Sequence, residues 1–108
     1  MPSETLAEHC GLSVTTIAAL QEVFAKHSEI TQVLLYGSRA KGTFRKGSDI
    51  DLTLYGDGVD YRLLTRIETE IDDLLLPYTV DLSLFRQIDN PDLLDHISRV
   101  GLIFYPAP

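Results

Sequence analysis

The chain is 108 residues long, carries a formal net charge of −7 and contains one cysteine, Cys10. A chain of this length usually folds as one unit, so we expect a single domain over residues 1–108 with a core over about 13–105. One cysteine cannot form an internal disulfide, and no Cys/His cluster offers a zinc site. The acidic balance argues against direct nucleic-acid binding, which needs a basic surface.

The N-terminus and the apolar runs exclude two further classes of protein. Residues 1–9 lack the basic segment and the apolar segment of a secretory signal. The longest wholly apolar runs extend over a few residues, far short of a membrane span. The sequence therefore predicts a soluble cytoplasmic protein that makes no membrane contact.

The first predicted element is a helix from about Val14 to His27, with Ser13 as its N-cap. Apolar side chains recur along it at helical spacing and form one stripe that we expect in the core: Ile17, Leu20, Val23 and Phe24. Residues 1–12 show no firm pattern, and we expect them to be loosely attached.

Residues Ile30 to Tyr36 are predicted to form a buried strand, because they contain the continuous apolar run Val33-Leu34-Leu35-Tyr36. Gly37 ends this strand, and Ser38 can cap a short helical turn that reaches about Lys41. The segment after Ser38 concentrates four of the nine basic residues: Arg39, Lys41, Arg45 and Lys46. An acidic chain with one basic loop suggests a small polyanion, such as a nucleoside triphosphate, as its ligand.

The segment from Asp49 to Tyr55 alternates strictly between two kinds of side chain. Asp49, Asp51, Thr53 and Tyr55 point to one face, and Ile50, Leu52 and Leu54 point to the other. A strand covered on both faces would be continuously apolar. We therefore expect the face that carries the carboxylates to be open to solvent.

The remaining predicted elements are two helices and two strands, in the order helix Tyr61–Leu76, strand Thr79–Phe85, helix Pro91–Val100 and strand Leu102–Tyr105. Two strands joined through a helix form a βαβ-like step. The expected fold is therefore α/β (α+β), a small mixed sheet with helices packed mainly on one face. Asp81 would lie beside Asp49 and Asp51 if their strands are neighbours.

These residues suggest chemistry on phosphates. Two aspartates at i and i+2 on a strand project from the same side, and Mg²⁺ prefers one or two carboxylates together with phosphate oxygens and water. A third carboxylate, from Asp81, provides enough ligands for two metal ions. The Gly37-Ser38 turn supplies backbone N–H groups of the kind that bind phosphate.

The motif resembles the signature of the DNA polymerase beta-like nucleotidyltransferase superfamily. It consists of Leu35-Tyr36-Gly37-Ser38, a gap of ten residues, and Asp49-Ile50-Asp51. The small size of the chain is similar to the minimal nucleotidyltransferase (MNT) branch. The resemblance extends over roughly residues 13–105, but the specific motif is confined to residues 36–51 and Asp81.

The resemblance implies a role for each motif residue. Gly37 and Ser38 would contact the β- and γ-phosphates of ATP. Asp49, Asp51 and Asp81 would ligate two Mg²⁺ ions, and Asp81 would also help to deprotonate the acceptor hydroxyl. Two basic residues would neutralise phosphate charge: Arg39 and Lys41. The implied reaction transfers a nucleoside monophosphate, AMP from ATP, with release of pyrophosphate.

The resemblance also implies a partner. MNT proteins are typically paired with a helical HEPN-domain protein, often as the antitoxin to its ribonuclease toxin, and can transfer AMP to a tyrosine of that toxin. Two alternatives stay open: nucleotidyl transfer to a small molecule with the help of a second subunit, and a non-catalytic antitoxin that only binds. A Ser/His/Asp hydrolase is poorly supported, because His9, His27 and His96 lie far from the motif in sequence.

Overall fold

The structure, a computed structural model, describes residues 2–106. Within them the chain forms five helices and four strands, in the order α1 (Ser3–Cys10), α2 (Val14–Ala25), β1 (Gln32–Tyr36), α3 (Gly37–Lys41), β2 (Ile50–Tyr55), α4 (Tyr61–Asp72), β3 (Val80–Leu84), α5 (Pro91–Val100) and β4 (Leu102–Tyr105). A single 3₁₀ turn, Phe85–Gln87, follows β3. No helix in this part of the chain is long and apolar enough to cross a bilayer.

The four strands form one mixed sheet in the order β3-β2-β1-β4. β1 runs antiparallel to both β2 and β4, whereas β2 and β3 are parallel and are connected through α4. The predicted mixed sheet and its βαβ-like step are therefore confirmed. In this register Asp51 of β2 lies opposite Asp81 of β3 on one side and Tyr36 of β1 on the other.

The hydrophobic core lies between one face of the sheet and the helices α1, α2 and α4. The strand residues in this core are the apolar residues that alternate with the carboxylates on β2 and β3, together with residues of β1 and β4: Ile50, Leu52, Leu54, Leu82, Leu84, Val33, Leu35 and Phe104. The side chains of Phe24 and Phe104 meet edge to face in the same layer. Three of the five helices thus cover a single face, as the alternation predicts.

Three helices begin at side-chain N-caps, of which Ser13 is the one predicted above. The side chain of Ser13 accepts a hydrogen bond from the Thr16 backbone N–H, and Asp60 and Asn90 accept equivalent bonds at the starts of α4 and α5. The predicted end of α4 at Leu76 is wrong, because the helix ends at Asp72. The chain turns between Asp72 and Pro77 through Leu75, which has a φ of 56°.

The expectation that residues 1–12 are loosely attached is also wrong. Residues 3–10 form α1, and the side chains of Leu6, Cys10 and Leu12 are part of the core. An eight-residue helix is marginal on its own and depends on tertiary packing, so its two buried positions leave little periodic signal in the sequence. The core therefore begins before residue 13; Met1 lies outside the described residues.

The second face of the sheet is less open than the alternation suggests. Thr53 is fully buried there, and Tyr36 is nearly so. Helix α5 packs against β1 and α3 on this side and places His96 against the Tyr36 ring. The Thr53 hydroxyl donates to the carbonyl of Ser83 at 3.5 Å, which is why a polar residue on this face does not require solvent.

Candidate active site

Parallel pairing of β2 and β3 brings two of the predicted carboxylates together. Asp51 and Asp81 are direct partners in the register, and the Ile50 N–H donates to the Thr79 carbonyl at 2.9 Å just before that pair. Asp49 precedes β2 by one residue and is exposed. Asp51 is half-buried, while Asp81 lies exposed on β3, which is an edge strand of the sheet.

The electrostatics of the cluster are concentrated on Asp51. The pKa of its carboxyl is raised from 3.8 to about 6, first by burial and then by the negative charges of Asp81 and Asp49. All three causes disfavour the ionised form. A cation placed among these side chains would relieve the repulsion and the desolvation together.

Gly37 packs directly against this cluster. Its φ is 75°, in the left-handed region, and a Cβ at this position would overlap Oδ2 of Asp51 and lie 3.1 Å from its Cγ. Only glycine satisfies both the conformation and the close approach. The turn that opens α3 and the carboxylate of β2 are therefore in contact, although Gly37 and Asp51 are fourteen positions apart in sequence.

The first turn of α3 has backbone N–H groups that are not capped by the side chain of its N-cap residue, Tyr36. The Gly37 N–H donates to Nε2 of His96 at 3.0 Å. Ser38 follows at a half-buried position, where its hydroxyl can add to a ligand contact. Amides at such a turn carry partial positive charge that suits phosphate oxygens.

Tyr36 belongs to the same site. The pKa of its hydroxyl is raised, first by burial and then by the charges of Asp81 and Asp51, while the neighbouring Ser83 hydroxyl acts in the opposite direction. Ser83 Oγ is itself buried and has no hydrogen-bond partner of good geometry among the described residues. The Tyr36 hydroxyl thus lies close to the two paired carboxylates and reinforces the polar character of this patch.

Arg39, predicted as a phosphate neutraliser, has another use in the structure. It is 2% exposed. Its guanidinium donates to the Ser48 carbonyl through Nε at 3.1 Å and Nη2 at 3.0 Å, and to the Cys10 carbonyl through Nη1 at 2.8 Å. The rings of Phe44 and Tyr78 lie 5.3 and 5.0 Å from its Cζ. Arg39 joins α1 to the loop before Asp49, so we do not include it among the phosphate ligands.

The other basic residues of the loop remain accessible. Lys41, Arg45 and Lys46 are exposed. The loop that carries them is held by the Arg45 N–H, which donates to Ser48 Oγ at 2.8 Å, and by the Arg39 contacts with the same serine. Lys41 therefore stays a candidate for neutralising phosphate charge, next to the Gly37-Ser38 turn.

His96 is the residue of this site that sequence reasoning missed. It lies on α5 at the spacing of a partly buried apolar stripe that includes Leu93 and Val100, and Ile97 next to it is buried. Its ring meets that of Tyr36 edge to face, with centroids 6.3 Å apart. A histidine in an apolar stripe is the one signal that could have singled it out.

The donor set fits Mg²⁺ by its chemistry. Three carboxylates that repel one another are hard oxygen ligands, which is the type that Mg²⁺ prefers. Among residues 2–106 no group of three acidic, His or Cys side chains is already drawn together around an ion position. Mg²⁺ usually takes one or two carboxylates and completes its shell with water and substrate phosphates, so a complete protein cage is not required.

Comparison with known proteins adds a family match. A family model described as "Polymerase beta, Nucleotidyltransferase" matches residues 18–107. A comparison with curated proteins found no match. The motif residues and the carboxylate pair all lie within the matched segment.

Solved structures share the fold. A chain in the crystal structure of a toxin–antitoxin with AMP-PNP superimposes on this chain with a TM-score of 0.68 and 18% sequence identity. The match covers 84% of this chain and 73% of that chain. A tri-AMPylated Shewanella oneidensis HEPN toxin in complex with MNT antitoxin gives 15% identity and a TM-score of 0.63, over 86% of this chain and 71% of that chain. A structure described as a candidate minimal nucleotidyltransferase is 26% identical, with a TM-score of 0.65, over 94% of this chain and 95% of that chain.

Proposed function

Because this chain belongs to the polymerase beta nucleotidyltransferase family, we propose that it transfers AMP from ATP to a hydroxyl acceptor and releases pyrophosphate. The observation that carries the proposal is the contact between two halves of a site. Asp51 pairs with Asp81 across β2 and β3, and the missing Cβ of Gly37 leaves room for the Asp51 carboxylate. The turn proposed to bind phosphate therefore lies against one member of the carboxylate pair.

Each residue of the site has a proposed task. The Gly37 and Ser38 backbone groups and the Ser38 hydroxyl bind the β- and γ-phosphates, and Lys41 neutralises part of their charge. Asp49, Asp51 and Asp81 would hold two Mg²⁺ ions, which supply positive charge to the phosphate oxygens as negative charge builds up on them. Asp51, the most buried of the three, lies against Gly37.

The transfer itself is a displacement at phosphorus. The acceptor oxygen forms a bond to the α-phosphorus while the bond from that phosphorus to the bridging oxygen breaks, and pyrophosphate leaves with the electron pair. The proton of the acceptor hydroxyl passes to the carboxylate of Asp81. Asp81 is exposed on an edge strand, so an acceptor carried by another molecule can approach it.

The acceptor we propose is a tyrosine of a HEPN-domain toxin, with this chain acting as its antitoxin. Support comes from the fold neighbours, one of which contains a tri-AMPylated HEPN toxin in complex with an MNT antitoxin, and another a toxin–antitoxin with AMP-PNP. Asp81 is exposed on the edge strand β3, so a protein acceptor that brings its own surface suits the site.

The test uses the full chain, ATP labelled on the α-phosphate, Mg²⁺ and the protein that copurifies with it or is encoded beside it. Label should move to a tyrosine of that partner with the wild type and not with Asp49→Asn. Glu68→Gln, an exposed acidic residue on α4, is the matched control and should transfer as the wild type does.

Two results would contradict the proposal in different ways. If Asp49→Asn labels the partner as well as the wild type does, the Asp49 carboxylate is not needed for catalysis. A stable complex without label from any of the four nucleoside triphosphates would favour an antitoxin that acts by binding alone.

A further inference from the structure

His96 contacts the proposed phosphate-binding turn from a helix that the motif does not include. Its Nε2 accepts the Gly37 N–H at 3.0 Å, across a sequence separation of 59 residues. Helix α5 holds the ring in place by packing against α3 and β1, and Tyr36 contacts the ring at its edge. The imidazole is therefore directed at the turn by surrounding structure.

The position of His96 on its helix is otherwise an apolar one. Leu93 and Val100 precede and follow it at helical spacing on the partly buried side of α5, and Ile97 beside it is buried. An aliphatic side chain would pack at this position without needing a hydrogen bond. The His96 side chain instead accepts a hydrogen bond from the Gly37 N–H.

The direction of that hydrogen bond fixes the form of the ring. An N–H donor can be accepted only by a ring nitrogen without a proton, so Nε2 is bare and the proton of the neutral imidazole is on Nδ1. An ionised phosphate oxygen can accept hydrogen bonds but has no proton to donate. If it takes over the Gly37 N–H, the bare Nε2 would face an anion with its lone pair, which is unfavourable.

Moving the ring proton from Nδ1 to Nε2 resolves this conflict without changing the charge of the ring. Nε2–H then donates to the same phosphate group that the Gly37 amide contacts. The imidazole would then accept the Gly37 N–H before the nucleotide binds and donate to a phosphate oxygen afterwards.

We propose that His96 is a nucleotide-binding residue of the transfer site, which exchanges the Gly37 amide for a phosphate oxygen of a nucleoside triphosphate and donates to that oxygen through Nε2. The inference rests on the proposed function and extends it to α5. It places a residue 45 positions beyond Asp51 in the chain within the phosphate-binding part of the site.

The test measures binding of α,β-methylene-ATP with Mg²⁺ by calorimetry, since this analogue cannot transfer its AMP. Replacing the ring with an aliphatic group in His96→Leu should weaken binding about tenfold, the size expected for losing a hydrogen bond to a charged group. His96→Gln keeps a donor and an acceptor near the Nε2 position and should restore most of the affinity. Ser98→Ala, on the exposed side of the same helix, is the control and should bind as the wild type does.

A spectroscopic measurement separates binding from a purely structural role. The ¹⁵N signals of the His96 ring should show a bare Nε2 in the free protein and a protonated Nε2 after the analogue is added. This measurement uses the wild type alone and so does not depend on any variant folding.

The outcomes distinguish this inference from the function on which it rests. If the wild type binds no nucleotide, both fall. If the wild type binds but His96→Leu binds equally well or more tightly, only the role of His96 is wrong. An Nε2 that stays bare in the complex, still accepting from Gly37, would likewise show that His96 merely supports the turn.

Discussion

Replacing Asp51 by Asn removes a carboxylate that the fold holds partly out of water beside two others. The pKa of Asp51 is raised from 3.8 to about 6, by burial first and by Asp81 and Asp49 after it. Such a shift means that the folded protein resists ionising this group more than the unfolded chain does. The charge on Asp51 therefore destabilises the metal-free fold at neutral pH.

The magnitude follows from the shift. A change from 3.8 to about 6 corresponds to about 3 kcal/mol at full effect. Because the side chain is only half-buried, solvent screening reduces this, and we expect about 1–2 kcal/mol. Because the pKa of Asp51 is higher in the folded state than in the unfolded state, its charge destabilises the fold only at higher pH. The penalty is absent below about pH 4, where the carboxyl is protonated in both states, and is fully present above about pH 6.

Asp51→Asn should therefore raise the stability of the metal-free protein at pH 7 by about 1–2 kcal/mol, or about 5–10 °C in Tm. The gain should shrink as the pH falls through 6 and vanish near pH 4. The assay is thermal unfolding in the presence of a chelator across this pH range, with Glu68→Gln as the exposed control. Mg²⁺ should stabilise the wild type more than the variant, while the variant should lose AMP transfer.

A variant no more stable than the wild type at pH 7 would refute the reasoning, because it would mean that the buried charge carries no penalty. If the gain in stability of Asp51→Asn persists unchanged at pH 4, the explanation by ionisation is also wrong. The stabilisation would then arise from packing or hydrogen bonding of the amide and not from ionisation.

Two further substitutions test the geometry of the site and its support. Gly37→Ala should lower the free energy of unfolding, measured in urea, by about 1–2 kcal/mol, because alanine is strained in the left-handed backbone conformation. It should also reduce AMP transfer more than tenfold, because the new Cβ displaces the Asp51 carboxylate. The control Gly47→Ala, at a similar φ of 87° but in open space, should lose stability in the same assay and keep its transfer activity. Arg39→Lys should lower the free energy of unfolding by about 2–3 kcal/mol in the same assay, because an ammonium cannot replace the forked hydrogen bonds to two carbonyls. The control Arg45→Lys, at an exposed position, should leave stability unchanged. If Arg39→Lys has normal stability but binds ATP poorly, Arg39 is a phosphate ligand instead.

Local features of the fold were predictable because they depend on neighbouring residues. Ser13 caps the helix that its sequence indicates, since a cap needs only the N–H groups two or three residues ahead. The alternation after Asp49 separates the core face of β2 from its carboxylate face for the same reason. The motif itself is recognisable because its turn and its carboxylates lie on one short segment.

Pairing between distant strands was partly predictable. A helix between two strands favours a parallel neighbour, and β3 indeed lies beside β2. The register that sets Asp81 opposite Asp51 is a tertiary property, because a slip of one residue would turn Asp81 to the core face.

The sequence by itself determined the four strands, the helices from α2 onward, the core stripe of α2 and the motif that belongs to a nucleotidyltransferase. Only the tertiary structure decided what surrounds that motif. It buries Arg39 against the carbonyls of Cys10 and Ser48, docks α1 on the core, and brings His96 to the Gly37 amide. These contacts depend on which faces of the helices meet, and that is settled by the packing of the whole chain, since no local pattern records which distant backbone group a side chain will reach.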